Sequence, residues 1–269
     1  MIIGIELGGW DIDAKPESQF TSLANMAETA ASSGFRLLAM PAQTWVGRSP
    51  TLQPLETVSA LAERCEATLL TGPLLVAVGH PVDIGEQIAT AQHAADGRLI
   101  VEVQTAAEPA DLAAFQIDPT QVGPRTRESI AVWRRIWFED FVDHAGTFYK
   151  VPGAQPTLRL HDGNAPAIAL SVHARADLEM ARALAAGLSM TSESTHHAPE
   201  RIAAISTARA RRLPVIMRTP IDTPAALDEQ IAVHAAAGVD HLVLQPRAPT
   251  LPDIARLVRE CGEIVSESP

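Results

Sequence analysis

Cysteine is scarce in this sequence, and its two cysteines, Cys65 and Cys261, lie far apart along the chain. Two isolated thiols cannot form the disulfide framework of a small secreted domain, and they provide no paired ligands for a zinc site. The first residues, 1–7, read as a strand, without the basic segment and apolar core of a signal peptide. No apolar run reaches transmembrane length. We therefore expect a cytoplasmic protein that does not interact with a membrane.

Positive charge is also in short supply, since 21 lysines and arginines face 32 aspartates and glutamates and leave a net charge of −11. An acidic chain repels phosphates, which argues against nucleic acid and anionic membranes as partners. Aromatic residues make up 4% of the chain and offer few platforms for stacking. We expect a small-molecule substrate as the partner.

Several familiar catalytic motifs are missing. The chain has no G-x-S-x-G nucleophile motif and no HxH or HExxH spacing for a metal. His196 and His197 are adjacent and follow Glu193, but neighbouring histidines on a loop rarely face the same ion. We expect no metal site.

A short sequence unit recurs four times along the chain. A helix end built from small residues is followed by a glycine and then by a short apolar strand, and the glycines are Gly34, Gly97, Gly187 and Gly238. Glycine at this point can take the left-handed conformation that ends a helix. Continuous apolar strands are typical of a parallel sheet that is covered on both faces. The unit therefore predicts alternating strands and helices.

Eight such strands are predicted, near 2–7, 36–40, 68–76, 98–103, 167–172, 187–190, 213–218 and 241–245. Eight alternating units without a domain linker favour an α/β fold with a single (β/α)8 TIM barrel over 1–269, and an open doubly wound sheet is the alternative. The longest interruption, near 105–160, predicts an inserted helix marked by Trp133 and Trp137, followed by a hairpin over 141–151.

Several segments, in the same order along the chain, resemble a known family. They are Leu61-Ala62-Glu63-Arg64, Leu70-Thr71-Gly72, His80-Pro81-Val82, Gly146-Thr147-Phe148-Tyr149 and Ala237-Gly238-Val239-Asp240-His241. In order and spacing they are similar to the bacterial-luciferase-like oxidoreductases, which use a flavin or a deazaflavin. The resemblance covers most of the chain. It implies a luciferase-like barrel, often a homodimer, with FMN or the deazaflavin coenzyme F-420 as cofactor.

The resemblance assigns roles to residues at the strand ends. Thr71, Gly72 and Pro73 correspond to a bend that packs under the flavin ring in the family. The bend has two interpretations here: a cis peptide that shapes a flat pocket, since a bond before proline adopts cis at low cost, or an ordinary bulge in the strand.

The sequence departs from the family at other cofactor positions. Gln43 stands where the family often has a histidine that contacts flavin or substrate. Gln104 lies in a strand end that is glycine-rich in the family. Ser171, His173 and Arg175 lie where a glycine pair commonly holds the phosphate through its N–H groups. Side chains at such positions block a close approach of backbone and ligand. Either His173 or Arg175 holds the phosphate instead, or no flavin binds.

Glu102 and Arg218 also lie at predicted strand ends, where barrel enzymes place their chemistry. Glu102 has two interpretations: a general base with a pKa raised by burial, or a carboxylate paired with a cation such as Arg218. With Gln43, these two are the predicted catalytic residues.

Three functions are compatible with these observations. The first is a luciferase-like oxidoreductase or monooxygenase in which flavin donates hydride or activates oxygen for attack on a small organic molecule. The second is a flavin-free barrel performing acid–base chemistry such as cyclisation, elimination or isomerisation. The third is a non-catalytic binder of small molecules.

Overall fold

Eight parallel strands close into a barrel in a computed structural model that describes residues 1–8, 16–41, 52–156, 158, 160–192, 205–247 and 251–267. Around the barrel the strands are β1 (Ile2–Glu6), β2 (Leu37–Ala39), β3 (Thr68–Leu74), β4 (Leu99–Val103), β7 (Ala167–Ser171), β8 (Gly187–Thr191), β9 (Val215–Ile221) and β10 (His241–Pro246). β10 pairs in parallel with β1, so the sheet has no free edge. The predicted barrel is confirmed, and the open sheet is excluded.

Helices alternate with the strands and cover the outside of the barrel. They are α1 (Pro16–Ser32), α2 (Pro54–Leu61), α3 (Pro81–Ala94), α4 (Pro109–Ala114), α5 (Val122–Phe138), α6 (Arg175–Leu184), α7 (described over 205–210), α8 (Leu227–Ala237) and α9 (Leu251–Glu267). Within the described ranges, none of the helices has the length and apolarity needed to cross a bilayer.

The recurring glycine unit has two structural origins. Gly34, Gly97 and Gly238 have φ angles of 97°, 78° and 86°, so they take the left-handed conformation predicted for them. Gly187 does not. Ala185 ends the preceding helix with φ 48°, and Gly187 opens β8, where a Cβ atom would lie 2.4 Å from the carbonyl oxygen of Pro214. Glycine is therefore required at position 187 because its backbone packs closely against the backbone of Pro214.

The inserted helix and hairpin between β4 and β7 are also confirmed, as α5 and the antiparallel pair β5 (Val142–Ala145) and β6 (Lys150–Ala154). Two buried tryptophans fasten α5 to α3. The indole N–H of Trp133 donates to the carbonyl of Pro81 at 2.9 Å, and that of Trp137 donates to the carbonyl of Gly85 at 3.0 Å. The insertion is thus packed against the barrel.

Alternation along the strands separates two apolar regions. One set of side chains faces outwards and packs against the helices. The other set fills the interior of the barrel and consists of Leu37, Ala39, Leu70, Ile100, Ala169, Ile216 and Val243. This interior layer forms the floor on which the residues at the strand ends rest.

Candidate active site

Polar side chains replace apolar ones at the carboxyl end of the barrel interior. Each lies two residues after an interior position of its strand and so points to the same side of the sheet. Ile100 is followed by Glu102, Ala169 by Ser171, Ile216 by Arg218 and Val243 by Gln245, while Glu6 ends β1. The strand period alone brings these five polar residues to the barrel mouth.

Arg218 joins two carboxylates there. Its Nη2 donates to Oε2 of Glu102 at 2.5 Å, its Nε donates to the same oxygen at 3.2 Å, and its Nη1 donates to Glu6. The side chains of Arg218 and Glu102 are 5% and 1% exposed. We call Glu6, Glu102 and Arg218 the mouth ion cluster. The structure therefore supports the ion-pair interpretation of Glu102.

Two neutral side chains complete the cluster. The Ser171 hydroxyl donates to Oε1 of Glu102 at 3.0 Å, and the Gln245 amide donates to Oε2 of Glu6 at 3.0 Å. A buried charge is tolerated only when it is paired and hydrogen-bonded, and these contacts meet that condition. The cluster is consequently a fixed polar surface at the bottom of the mouth.

The two ends of the Glu6–Arg218 contact differ in their electrostatics. Burial raises the pKa of Glu6 above its ordinary value, although the charge of Arg218 and the hydrogen bond from Gln245 oppose this. Burial disfavours the charge on Arg218, but Glu102 and Glu6 outweigh it and raise the pKa of the guanidinium. Arg218 therefore stays charged, and Glu6 binds a proton more readily than a carboxylate in water.

We expect the raised pKa of Glu6 to appear in the pH dependence of stability. A carboxyl whose pKa is higher in the folded than in the unfolded chain stabilises the fold fully below its ordinary value of 4.5, and this stabilisation is lost as pH rises through the raised pKa. Glu6→Gln is always neutral, so the free energy of unfolding of wild type should fall relative to that of Glu6→Gln as pH rises from 4.5 to 8.

Urea denaturation of both proteins between pH 4.5 and 8 measures this difference, and Glu56→Gln on the exposed side of α2 serves as the control. A difference between Glu6→Gln and wild type that stays constant with pH would contradict the raised pKa.

The bend at Thr71, Gly72 and Pro73 is a bulge. The register between β3 and β4 shifts between Leu70 and Pro73, and the peptide bonds of the bend are trans. The backbone N–H of Glu102 donates to the Thr71 hydroxyl at 3.0 Å. Of the two interpretations offered by the sequence, the cis peptide is wrong and the bulge is found. The bulge supports the strand that carries Glu102.

A cavity of about 370 Å³ lies above the mouth ion cluster, and we call it the mouth cavity. Its wall includes Pro73, Glu102, Gln104, Ser171, His173 and Arg218. Gln104 is fixed there because its amide donates to the carbonyl of Pro73 at 2.8 Å. The structure thus brings together six of the ten residues predicted from the sequence. The volume of the mouth cavity falls in the usual range of small-molecule sites.

A second and larger cavity, of about 750 Å³, lies between the inserted helix, the hairpin and the start of α6, and we call it the outer cavity. Thr105 lines it, and the hydroxyl of Thr105 donates to the carbonyl of Ser171 at 2.9 Å. Ser171 in turn lines the mouth cavity, so the two cavities adjoin at this contact. Arg127, an exposed cation, also lines the outer cavity.

The backbone N–H groups of the turn between β7 and α6 are bonded by the side chain of Asp177, in the first turn of α6. The backbone N–H groups of His173 and Ala174 both donate to the carboxylate of Asp177, at 2.9 and 2.7 Å. These are the N–H groups at the position that the family resemblance assigns to a phosphate. With Asp177 in place, they are already bonded.

The remaining predicted residues lie away from the cavities or outside the description. Arg175 is exposed, its Nε lies 3.4 Å from the carboxylate of Glu179, and it lines neither cavity. Thr71 and Gly72 precede Pro73 in the bulge and line neither cavity. Gln43 lies outside the described residues, as do Glu193, His196 and His197.

Arg127 and Asp177 were not predicted from the sequence. Asp177 stands three residues after Ala174, the spacing at which an acidic side chain can reach back to the start of its helix, so this spacing was the available signal. Arg127 lies on the inserted helix and carries no sequence signal that separates it from its neighbours.

Known proteins show the same architecture. The monooxygenase RslO1 of Streptomyces bottropensis superimposes with a TM-score of 0.81 at 20% identity, covering 98% of both chains. The oxygenating constituent of 3,6-diketocamphane monooxygenase from Pseudomonas putida, in complex with FMN, superimposes with a TM-score of 0.81 at 13% identity, covering 99% of this chain and 97% of that one.

Sequence comparison gives a relative and a family. Sulfoquinovose monooxygenase of Agrobacterium fabrum is 25% identical over 143 residues, a stretch that makes up 52% of this chain and 34% of that enzyme. The family model of the luciferase-like monooxygenases matches residues 5–245, most of the chain and six complete strands of the barrel. The chain therefore belongs to the luciferase-like monooxygenase family.

Proposed function

We propose that this protein is a flavin-dependent monooxygenase that uses FMN to oxidise a small organic molecule. The observation that carries the proposal is the pair of adjoining cavities at the carboxyl ends of the strands, the end where barrel enzymes place their active sites. Family membership and the FMN complex of the Pseudomonas putida protein support it.

The shape and chemistry of the two cavities fit a flavin nucleotide. The mouth cavity offers a space walled by Pro73 and Gln104 for a flat ring, above a polar floor. The outer cavity offers a guanidinium from Arg127 and hydroxyls from Thr120 and Thr147, while its two carboxylates, Glu128 and Asp177, accept from backbone N–H groups. A planar, permanently charged guanidinium suits a phosphate. Arg127 would hold the phosphate, since Asp177 already occupies the N–H groups of the β7–α6 turn.

Bound reduced flavin supplies the electrons with which molecular oxygen is activated. The protein would orient the reactants, exclude water from the site and supply a proton. The apolar barrel interior below the mouth ion cluster excludes water from beneath. Arg218, fixed by two carboxylates, presents a rigid polar surface that cannot reorganise during the reaction. Glu6, with its raised pKa, can hold and release a proton at the mouth.

We expect Arg127→Gln to weaken FMN binding about tenfold and to leave riboflavin binding unchanged, because only FMN carries a phosphate. The measurement is an equilibrium titration of oxidised and anaerobically reduced FMN and riboflavin, followed by flavin fluorescence or absorbance. Lys150→Gln is the matched control, since Lys150 lies on the hairpin but lines neither cavity. Equal weakening of both flavins would place the phosphate elsewhere.

A deazaflavin arm in the same titration separates the two cofactors left open by the sequence. FMN binding without deazaflavin binding supports the monooxygenase. Preference for the deazaflavin coenzyme overturns the proposal in favour of a reductase. Homodimer formation and a cytoplasmic location stay predictions.

A second function has one observation in its favour. The mouth ion cluster holds the buried carboxylate of Glu102 and the partly buried carboxylate of Glu6, whose pKa is raised, as expected of a site for acid–base chemistry. A protein that binds no flavin but converts a substrate in a Glu102-dependent manner would support this alternative.

A further inference from the structure

The charge balance of the mouth ion cluster sets a limit on what can bind above it. Two carboxylates face one guanidinium, and all three side chains lie at the top of the barrel interior. The guanidinium is 5% exposed. The cluster therefore carries an excess of negative charge when both carboxyls are ionised, and no excess of positive charge when Glu6 is protonated.

Three of the five N–H groups of Arg218 already donate to carboxylates of the protein. Nε and Nη2 donate to Glu102, and Nη1 donates to Glu6. All three nitrogens of the guanidinium thus point at carboxylates of the protein. A sulfonate or carboxylate of a ligand that displaced Glu6 or Glu102 would leave a protein carboxylate without its partner, and one that approached the remaining N–H groups would lie beside both carboxylates.

The rest of the described wall adds no further lysine or arginine. Among the residues described as lining the mouth cavity, Arg218 is the single lysine or arginine, and the exposed Glu108 adds a carboxylate. The whole chain is acidic, with a net charge of −11. An anion inside the mouth cavity therefore lies close to more negative than positive charge of the wall.

We propose that the mouth cavity takes, beside the flavin ring, substrates whose bound end is uncharged or cationic, and that Glu6 and Glu102 exclude sulfonates and carboxylates by neutralising Arg218. The inference rests on the proposed function, because it defines the substrate class of the same site. It makes the two carboxylates specificity-determining residues, which act by withholding a cation from the ligand.

Three probes that differ in one end group test this directly: octane-1-sulfonate, octan-1-ylammonium and octan-1-ol. Their affinities for the purified full chain are measured by calorimetry at pH 7.5, in wild type and in Glu102→Gln, Glu6→Gln and Glu108→Gln. Glu108→Gln is the matched control, because Glu108 lines the same cavity, is exposed and makes no contact with Arg218. Glu6→Gln serves if Glu102→Gln does not fold.

We expect wild type to bind the sulfonate about tenfold or more weakly than the alcohol and the ammonium ion. Freeing Arg218 with Glu102→Gln or Glu6→Gln should tighten sulfonate binding about tenfold, while Glu108→Gln should change it by no more than about threefold. Sulfonate binding in wild type as tight as that of the alcohol overturns the inference. So does a folded Glu102→Gln or Glu6→Gln that gains no more than Glu108→Gln.

A flavin titration on the same samples keeps this outcome distinct from the proposed function. Absence of FMN binding overturns the monooxygenase proposal whatever the sulfonate result. A gain of sulfonate binding in the two variants supports the neutralisation of Arg218 by its carboxylates whether or not a flavin binds.

Discussion

Arg218→Met should lower the free energy of unfolding at pH 7 by about 3–5 kcal/mol, the cost of breaking a buried ion pair from one side. The substitution keeps an unbranched side chain of similar length but leaves Glu6 and Glu102 without their cation. Two like charges would then face each other in the barrel interior. Acid should recover part of the loss, because protonation of an unpaired buried carboxyl removes its charge.

Urea denaturation at pH 7 and pH 5 measures both effects. Arg64→Gln is the control, because Arg64 pairs with Glu28 at 3.1 Å on the surface, where the two side chains are 48% and 46% exposed. An exposed pair contributes about 0–1 kcal/mol. If Arg218→Met cost no more than Arg64→Gln, the mouth ion cluster would not be a buried network.

Gly72→Ala should be at least as damaging as an ordinary large core substitution, with a loss of about 3 kcal/mol or more in unfolding free energy. Gly72 has a φ angle of +70°, and a Cβ atom would lie 2.4 Å from the carbonyl oxygens of both Met40 and Pro41. Backbone oxygens cannot swing aside as the end of a side chain can. β2 and β3 would have to separate at the barrel mouth.

Comparison with Gly163→Ala separates the effect of the steric clash at Gly72 from the effect of the left-handed backbone, because only the latter is present at Gly163. Gly163 has a φ angle of +71°, and no atom lies within 4 Å of the position of an added Cβ. Left-handed backbone costs a residue other than glycine about 1–2 kcal/mol, which is the loss expected for this variant. Thermal and urea unfolding of both proteins give the comparison. Equal losses would show that the close approach at Gly72 has no energetic consequence.

The barrel could be predicted from the sequence because each of its signals is local. A helix end, a glycine and an apolar strand lie within about ten residues of one another, so their repetition is visible without any knowledge of distant contacts. The positions of Trp133 and Trp137 on one helix face were likewise sufficient to predict the inserted helix. The strand period then placed Glu102, Ser171 and Arg218 at the same end of the sheet.

The partners of these residues could not be predicted in the same way. Glu6 and Arg218 are separated by 212 positions in the chain, and only closure of the barrel brings β1 and β9 to opposite sides of β10. Asp177 occupies the N–H groups of His173 and Ala174 through a contact that depends on the exact turn geometry. The sequence of the bend at Gly72 allowed two conformations, and the register shift between Leu70 and Pro73 identifies the bulge.

The sequence departures from the family acquire a physical meaning in the structure. Gln104 closes one wall of the mouth cavity through its bond to Pro73, and Ser171 supports Glu102. These side chains do not fill the cavity, which keeps a volume of about 370 Å³. The substitutions therefore reshape the mouth and leave room for a ligand.

Occupation of the mouth cavity by a flavin is the central claim, and a substitution that fills this cavity tests it most directly. Ala106 is exposed on its rim, so Ala106→Trp places a bulky ring there without disturbing the core. Ala110→Trp introduces the same ring on the exposed side of α4, at a position that lines neither cavity.

The measurement is an anaerobic titration of reduced FMN into wild type and the two variants. We predict saturable binding to wild type at one flavin per chain, a loss of about tenfold or more in affinity for Ala106→Trp, and unchanged affinity for Ala110→Trp. Absence of binding to wild type, or equal affinity of wild type and Ala106→Trp, would contradict the account.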